Sequence, residues 1–126
     1  RRAGPPPQVC PVSGTAVIDW ADFTRVDLRV GRVLAAEPFP AARRPAYVLH
    51  VDFGPEIGVR KSSAQITAHY DCDALIGRQV LCVCNFAPKR IAGVRSEVLV
   101  TGVYDSENHV VLAGFDKPLP NGARLA

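Results

Sequence analysis

Long apolar runs, cysteine pairs and methionine are missing from this sequence, and aromatic residues are few. No stretch approaches the ~18 uninterrupted apolar residues of a membrane-spanning helix, so no membrane insertion is expected. Residues 1–14 carry Arg1 and Arg2 but no apolar segment behind them, which argues against a secretory leader. With no methionine, the numbered chain does not begin at an initiator. The cysteines are Cys10, Cys72, Cys82 and Cys84, and no CxxC pair is among them. Cys82 and Cys84 sit two apart in an apolar run, where a strand turns them to opposite faces and away from a shared ion. Reduced core thiols in a cytoplasmic protein are the expectation. His50, His69 and His109 are scattered and make no metal-ligand spacing, so no metal or other cofactor is expected.

What is present fits one compact domain: 126 residues, 48% of them hydrophobic and 21% charged. The net charge of +3 is modest, but it is unevenly spread. Residues 25–95 carry +5 and residues 96–126 carry −2, so the middle of the chain should present a basic face. Twelve of the fifteen basic residues are arginine, which suits bidentate contact to phosphate or carboxylate.

Residues 1–16, with Pro5-Pro6-Pro7, Pro11, Ser13 and Gly14, read as a disordered proline-rich tail, leaving 17–126 as the domain. Asp19 is placed to cap one helical turn carrying Trp20 and Phe23 on one side. Val26, Leu28 and Val30 alternate with Arg25, Asp27 and Arg29, and the alternation breaks at Gly31, as at a bulge that bends a strand. Pro38, Pro40 and Pro45 frame a loop holding Arg43 and Arg44. A second strand runs from Tyr47 to Phe53 and a third from Val59 to Ser63. One or two helical turns then fall between Ile66 and Leu75, with Asp71 or Asp73 as cap and Gly77 as stop. Val80 to Cys84 and Val98 to Val103 read as strands buried on both faces, and Val110 to Ala113 as a short last strand. Three strands, a helix and two strands is the order of a five-stranded OB-fold barrel, an all-β fold with a helical insert between strands three and four.

The chemistry concentrates in residues 85–97, between two apolar strands. Lys89, Arg90 and Arg95 are interleaved there with Phe86, Ile91 and Val94, while Pro88 and Gly93 shape the backbone. In an OB-fold this loop lies at the rim of the binding face. The cations suit phosphates, with a base stacking on Phe86. An extended peptide would use the apolar groups and place its acidic side chains on the cations. A plain loop packing Ile91 and Val94 on the barrel end remains the bland alternative. Arg60-Lys61-Ser62-Ser63-Ala64-Gln65-Ile66-Thr67 puts two cations before hydroxyl and amide donors, as along a phosphate track or at a helix cap. Ser62, Ser63, His69 and Asp71 invite comparison with a catalytic triad, but no Gly-x-Ser-x-Gly elbow precedes them, and no enzymatic activity is expected.

Six runs in order carry a resemblance. They are Asp22-Phe23 followed by Val26-Asp27-Leu28-Arg29-Val30-Gly31; Lys61-Ser62-Ser63-Ala64-Gln65-Ile66-Thr67; Leu75-Ile76-Gly77-Arg78-Gln79-Val80; Asn85-Phe86-Ala87-Pro88-Lys89-Arg90-Ile91-Ala92-Gly93; Ser96-Glu97-Val98-Leu99; and Pro120-Asn121-Gly122-Ala123-Arg124-Leu125. With them, residues 19–126 resemble the tRNA-binding-domain OB-fold family, and within it the small export-related chaperones. The resemblance implies a cytoplasmic homodimer that binds unfolded or precursor polypeptides and assists export, with the export machinery as a further partner. Other members, free-standing or fused to methionyl-tRNA synthetases, bind tRNA without strong sequence preference, and such an RNA-binding role is the alternative. It further implies that the Asn85, Lys89 and Ser96 positions belong to a tRNA-binding loop, and with the cations Arg60, Lys61, Arg90 and Arg95 they make up the expected RNA-binding set. The peptide-binding set is Phe86, Ile91 and Val94 with Lys89, Arg90 and Arg95. Trp20, Phe23, Pro118, Leu119 and Leu125 fall in the implied dimer interface. The family's usual Ser-x-Gly-Met reads Ser96-Glu97-Val98-Leu99 here, so Glu97 sets a negative charge near the proposed phosphate face.

Overall fold

The structure, a computed structural model, describes residues 16–125. The expectation of a disordered tail over 1–16 therefore lies almost wholly outside the described residues. One helical turn, α1 (Trp20–Thr24), precedes the barrel, with the Asp22 carboxylate accepting the Asp19 backbone N–H at 3.1 Å and the Trp20 and Phe23 rings 5.4 Å apart. Then come β1 (Leu28–Pro38), β2 (Tyr47–Asp52), β3 (Val59–Ala64), the short helix α2 (Cys72–Leu75) and β4 (Gln79–Val83). The chain continues through β5 (Lys89–Ile91), β6 (Val94–Ser96), β7 (Leu99–Val100), β8 (Gly102–Tyr104) and β9 (Val110–Leu112).

The main sheet runs β3-β2-β1-β4-β7, antiparallel throughout. It curls until its two ends meet: Glu97, just before β7, donates its backbone N–H to Lys61 O of β3 at 2.8 Å. That near-closure, with α2 between the third and fourth strands, is the expected five-stranded OB barrel. Of the two caps that the sequence pattern offers, Asp71 is the N-cap of α2 and Asp73 lies in its first turn, and Gly77 follows its end with φ +85°.

β1 has to serve two neighbours, β4 along its first half and β2 along its second, and it bends to do so. The bend is a bulge between Val33 and Ala35, with Leu34 as the extra residue, not at Gly31 where the sequence parity breaks. Gly31 has a different purpose. A Cβ there would come within 2.7 Å of Phe53 Cε1 and would also strike Val51, so only glycine lets the core fill.

Val33, Leu49, Val51, Phe53, Leu75, Val80 and Cys82 form the fully enclosed centre. A smaller satellite of Phe39, Ala46 and Val48 lies on the outer side of β2, so this strand buries both faces near its start. The run Val98 to Val103 differs from the expected doubly buried strand. It splits into β7 and β8, with Val98 and Val100 inward but Leu99 and Val103 outward. Beyond β9 the chain returns to lie beside β1, with Leu125 N–H on Leu28 O at 2.8 Å and Val30 N–H on Ala123 O at 2.9 Å. Among the described residues, no helix is long and apolar enough to cross a membrane.

Candidate functional site

The loop between β4 and β7 is not irregular. It folds into the hairpin β5–β6, turned by Ala92 and Gly93 with φ of +46° and +86°. Two successive positive φ angles are the pattern of a two-residue turn that matches strand twist, and Ala92 occupies that region at some cost because it carries a Cβ.

Register then sorts the side chains. Ile91 opposes Val94, Lys89 opposes Ser96, and Arg90 opposes Arg95. Strand alternation places Lys89, Ile91, Val94 and Ser96 on one face and the two arginines on the other, although Lys89 itself is exposed. The first face docks on the barrel: Ile91 and Val94 pack on the Phe39/Ala46/Val48 satellite, and Ser96 Oγ accepts the Ser63 backbone N–H at 3.1 Å. On the second face two arginines are opposed in register, with the Arg90 guanidinium turned to Gly93 O at 3.3 Å and Arg95 bordering the smaller of two openings beside the hairpin; like charges at opposed positions work against the hairpin unless an anion offsets them.

The hairpin separates two openings. Ala42, Arg43, Arg44, Ala46, Ser63, Gln65 and Ile91 line a cavity of about 490 Å³. Ile57, Arg60, Cys84, Phe86, Pro88, Arg95, Glu97 and Val98 line one of about 240 Å³ on the other side. The smaller opening joins cations to apolar surface, with the Phe86 ring 58% exposed beside it. The Arg60 guanidinium reaches Glu97 Oε2 at 3.4 Å, and Glu97 Oε1 accepts the Lys61 backbone N–H at 3.1 Å. Glu97 thus closes the barrel seam and offsets Arg60, while Arg90 and Arg95 have no carboxylate partner among the described residues. At the same opening, burial and then the nearby Asp27 carboxylate raise the Cys84 thiol to about 11.

The sequence-derived residues therefore divide. Arg60, Phe86 and Arg95 meet at one crevice, and Arg90 and exposed Lys89 lie on the hairpin that borders it. Lys61 is exposed on β3, opposite His50 in the β2–β3 register. Ile91, Val94 and Ser96 hold the hairpin in place. Asn85 is committed to the backbone: its Oδ1 accepts Asp27 N–H at 3.0 Å and its Nδ2 donates to Arg25 O at 2.7 Å. Arg43 and Arg44 are the residues that sequence reasoning passed over. The signal was there, a basic pair in the proline-framed loop between strands one and two, which an OB barrel sets beside the loop between strands four and five.

Of the elements expected at a dimer interface, α1 and the last described residues of the chain meet. Arg124 donates to Thr24 O at the end of α1 at 2.8 Å and reaches Asp27 at 3.4 Å, drawing the Trp20/Phe23 turn and the C-terminal segment to one edge. Leu125 is partly exposed there, whereas Leu119, also partly exposed, bonds Gln79 at the other end of β4, and Pro118 beside it is exposed.

The scattered histidines do not all stay apart. His69, in the loop after β3, and His109, at the β8–β9 turn, meet Asp105, with one ligating atom from each residue within 4.8 Å of the others. The backbone N–H of His109 and then the His69 ring hold the Asp105 carboxyl down to about 2.

Comparison with known proteins agrees with this geometry. The family model described as "Putative tRNA binding domain" matches residues 28–124. The crystal structure of chaperone CsaA from Bacillus anthracis superposes with a TM-score of 0.82 at 48% identity, covering 88% of this chain and 100% of that one. CsaA from Picrophilus torridus gives 0.81 at 42% identity, covering 87% and 100%. The methionine–tRNA ligase of Methanocaldococcus jannaschii is 33% identical over 108 residues, which are 86% of this chain but 16% of that enzyme. The chain thus spans a small fraction of the ligase, and the family model that it matches describes a tRNA-binding domain. By sequence, by barrel and by full-length superposition on two CsaA structures, the chain belongs to the tRNA-binding domain family, on its CsaA branch.

Proposed function

We propose that this chain is a chaperone that holds unfolded or precursor polypeptide at the Phe86 crevice and assists protein export, working as a cytoplasmic homodimer. The observation that carries the reading is the composition of that crevice: an exposed aromatic ring and the apolar surfaces of Ile57, Pro88 and Val98, framed by Arg60 and Arg95. An extended segment gains by burying an apolar side chain on Phe86, and an acidic neighbour on the segment meets Arg95. Glu97 leaves the crevice nearly neutral on the Arg60 side, which admits uncharged segments. A dimer built on the Trp20/Phe23 edge would present two such crevices to one client, raising avidity without new contacts. The export machinery is a proposed partner on the same grounds as the client.

A second reading, tRNA binding, is favoured by one specific feature, the Arg90/Arg95 pair on the hairpin, which has no carboxylate partner among the described residues. Lys89, Lys61 and the Arg43/Arg44 loop would extend it into a track for phosphates.

A fluorescently labelled, reduced and alkylated polypeptide tests the first reading. It should bind the intact protein, and Phe86→Ala should weaken it by about tenfold, the scale of losing a buried aromatic contact. The same variant should weaken tRNA less than it weakens the polypeptide, since it removes at most one stacked base while every cation stays. No polypeptide binding, or equal losses for both ligands, would remove the chaperone assignment.

A further inference from the structure

We propose that His69, Asp105 and His109 form a binding site for a first-row divalent transition cation of the zinc class. The cluster shares no residue with the Phe86 crevice and plays no part in the reading above. It draws on two chain segments, the loop after β3 and the β8–β9 turn.

Donor set, spacing and support all point to a metal. Two imidazole nitrogens and one carboxylate are borderline donors that select zinc, cobalt, nickel or copper over magnesium and calcium. One ligating atom of each residue lies within 4.8 Å of the others, and His69 Nε2 is 2.7 Å from Asp105 Oδ2. Ligands at about 2.0–2.2 Å from a metal lie roughly 3–3.5 Å apart, so small side-chain rotations would bring the three into register.

Asp105 is already oriented. Its Oδ1 accepts the backbone N–H groups of Glu107 and His109, both at 2.9 Å, which leaves Oδ2 turned to His69. Ligating carboxylates characteristically have such a supporting hydrogen bond. The backbone beneath is fixed too: Asp105 N–H bonds His109 O at 2.8 Å. Tyr70, next to His69, accepts the Leu112 N–H on its hydroxyl at 2.9 Å, tying the two segments together before any ion arrives. The His69 and His109 rings meet edge to face, their centroids 5.5 Å apart. Both histidines are exposed, so water or an external ligand can complete the coordination. A bound cation would clip the β8–β9 hairpin to the loop after β3.

Titration of the full chain with cobalt(II), followed by its visible d–d bands, tests the site, with zinc(II) as competitor. The expected result is saturable one-to-one binding displaced by zinc, weakened by about a hundredfold or lost in His69→Ala and in His109→Ala. Asp105→Asn keeps an oxygen for the turn and should bind more weakly. His50→Ala, at the histidine outside the cluster, should leave binding unchanged. Metal should raise the melting temperature of the intact protein but not of the two cluster variants, whose metal-free melting temperatures show that they fold. Absence of binding, binding that survives both cluster substitutions, or equal loss in His50→Ala would overturn the proposal.

Discussion

Reversing one charge on the β5–β6 hairpin should stabilise the hairpin and impair RNA binding together. Arg90 and Arg95 face each other across the two strands, both exposed, neither with a carboxylate partner among the described residues. Like charges directly opposed destabilise a strand pair by about 0.2–1 kcal/mol, and opposite charges help by a similar amount. Arg90→Glu converts one into the other. Exposure and salt reduce the net gain to about 0.5 kcal/mol. The substitution also gives up a long 3.3 Å bond from Arg90 Nη1 to Gly93 O, which is worth little. Because the hairpin opens locally, amide hydrogen exchange of residues 89–96 is the right assay, and protection should rise about twofold. Over a salt series, tRNA affinity should fall by about tenfold at low salt, and the slope of log affinity against log salt should flatten by about one. If the hairpin loosens while tRNA binding is unchanged, the two arginines are not held in opposition for an anion and the reasoning fails.

Glu97→Gln keeps an acceptor for the Lys61 N–H but frees Arg60, so tRNA should bind a few-fold more tightly while chemical denaturation shows a loss of no more than about 1 kcal/mol. Ser62 is 1% exposed, and its hydroxyl has no hydrogen-bond partner among the described residues, so Ser62→Ala should raise unfolding stability by about 1 kcal/mol in a urea titration. With its thiol raised to about 11, Cys84 at pH 8 should be alkylated about a hundredfold more slowly than an ordinary exposed thiol, and its rate should climb about tenfold per pH unit below that value. Buried Cys82 should resist alkylation more strongly still, whereas partly exposed Cys72 should react first among these three in peptide mapping.

The barrel was legible because its strands alternate cleanly. Tyr47 to Phe53 shows one face and then the other, and the helix after β3 announces itself through Asp71 and Gly77. The bend in β1 was misplaced by three residues because broken parity marks a glycine as readily as a bulge. Gly31 turned out to answer to Phe53 and Val51, residues distant in the chain. At the rim, sequence identified the cations and the aromatic, but not which face of the hairpin each occupies. Ile91 and Val94 rest partly on the Phe39/Ala46/Val48 satellite, a contact the sequence does not reveal, and Ile91 also borders the larger cavity. Asn85 and Ser96 likewise look like free polar groups until the backbone engages them, Asn85 as both donor and acceptor and Ser96 as acceptor. The His69/Asp105/His109 cluster was invisible for the same reason, since its members lie up to 40 residues apart and only the closing of the barrel joins them.

Competition between the two classes of ligand tests the shared rim most directly. Labelled unfolded polypeptide bound to the purified protein would be titrated with unlabelled tRNA, and the anisotropy followed. Because Arg95 belongs to both the Phe86 crevice and the arginine face, tRNA should displace the polypeptide fully, and Arg90→Glu should raise the tRNA concentration that displaces half by about tenfold. A ternary complex, with polypeptide retained at saturating tRNA, would contradict a single rim and move one of the two ligands elsewhere on the molecule.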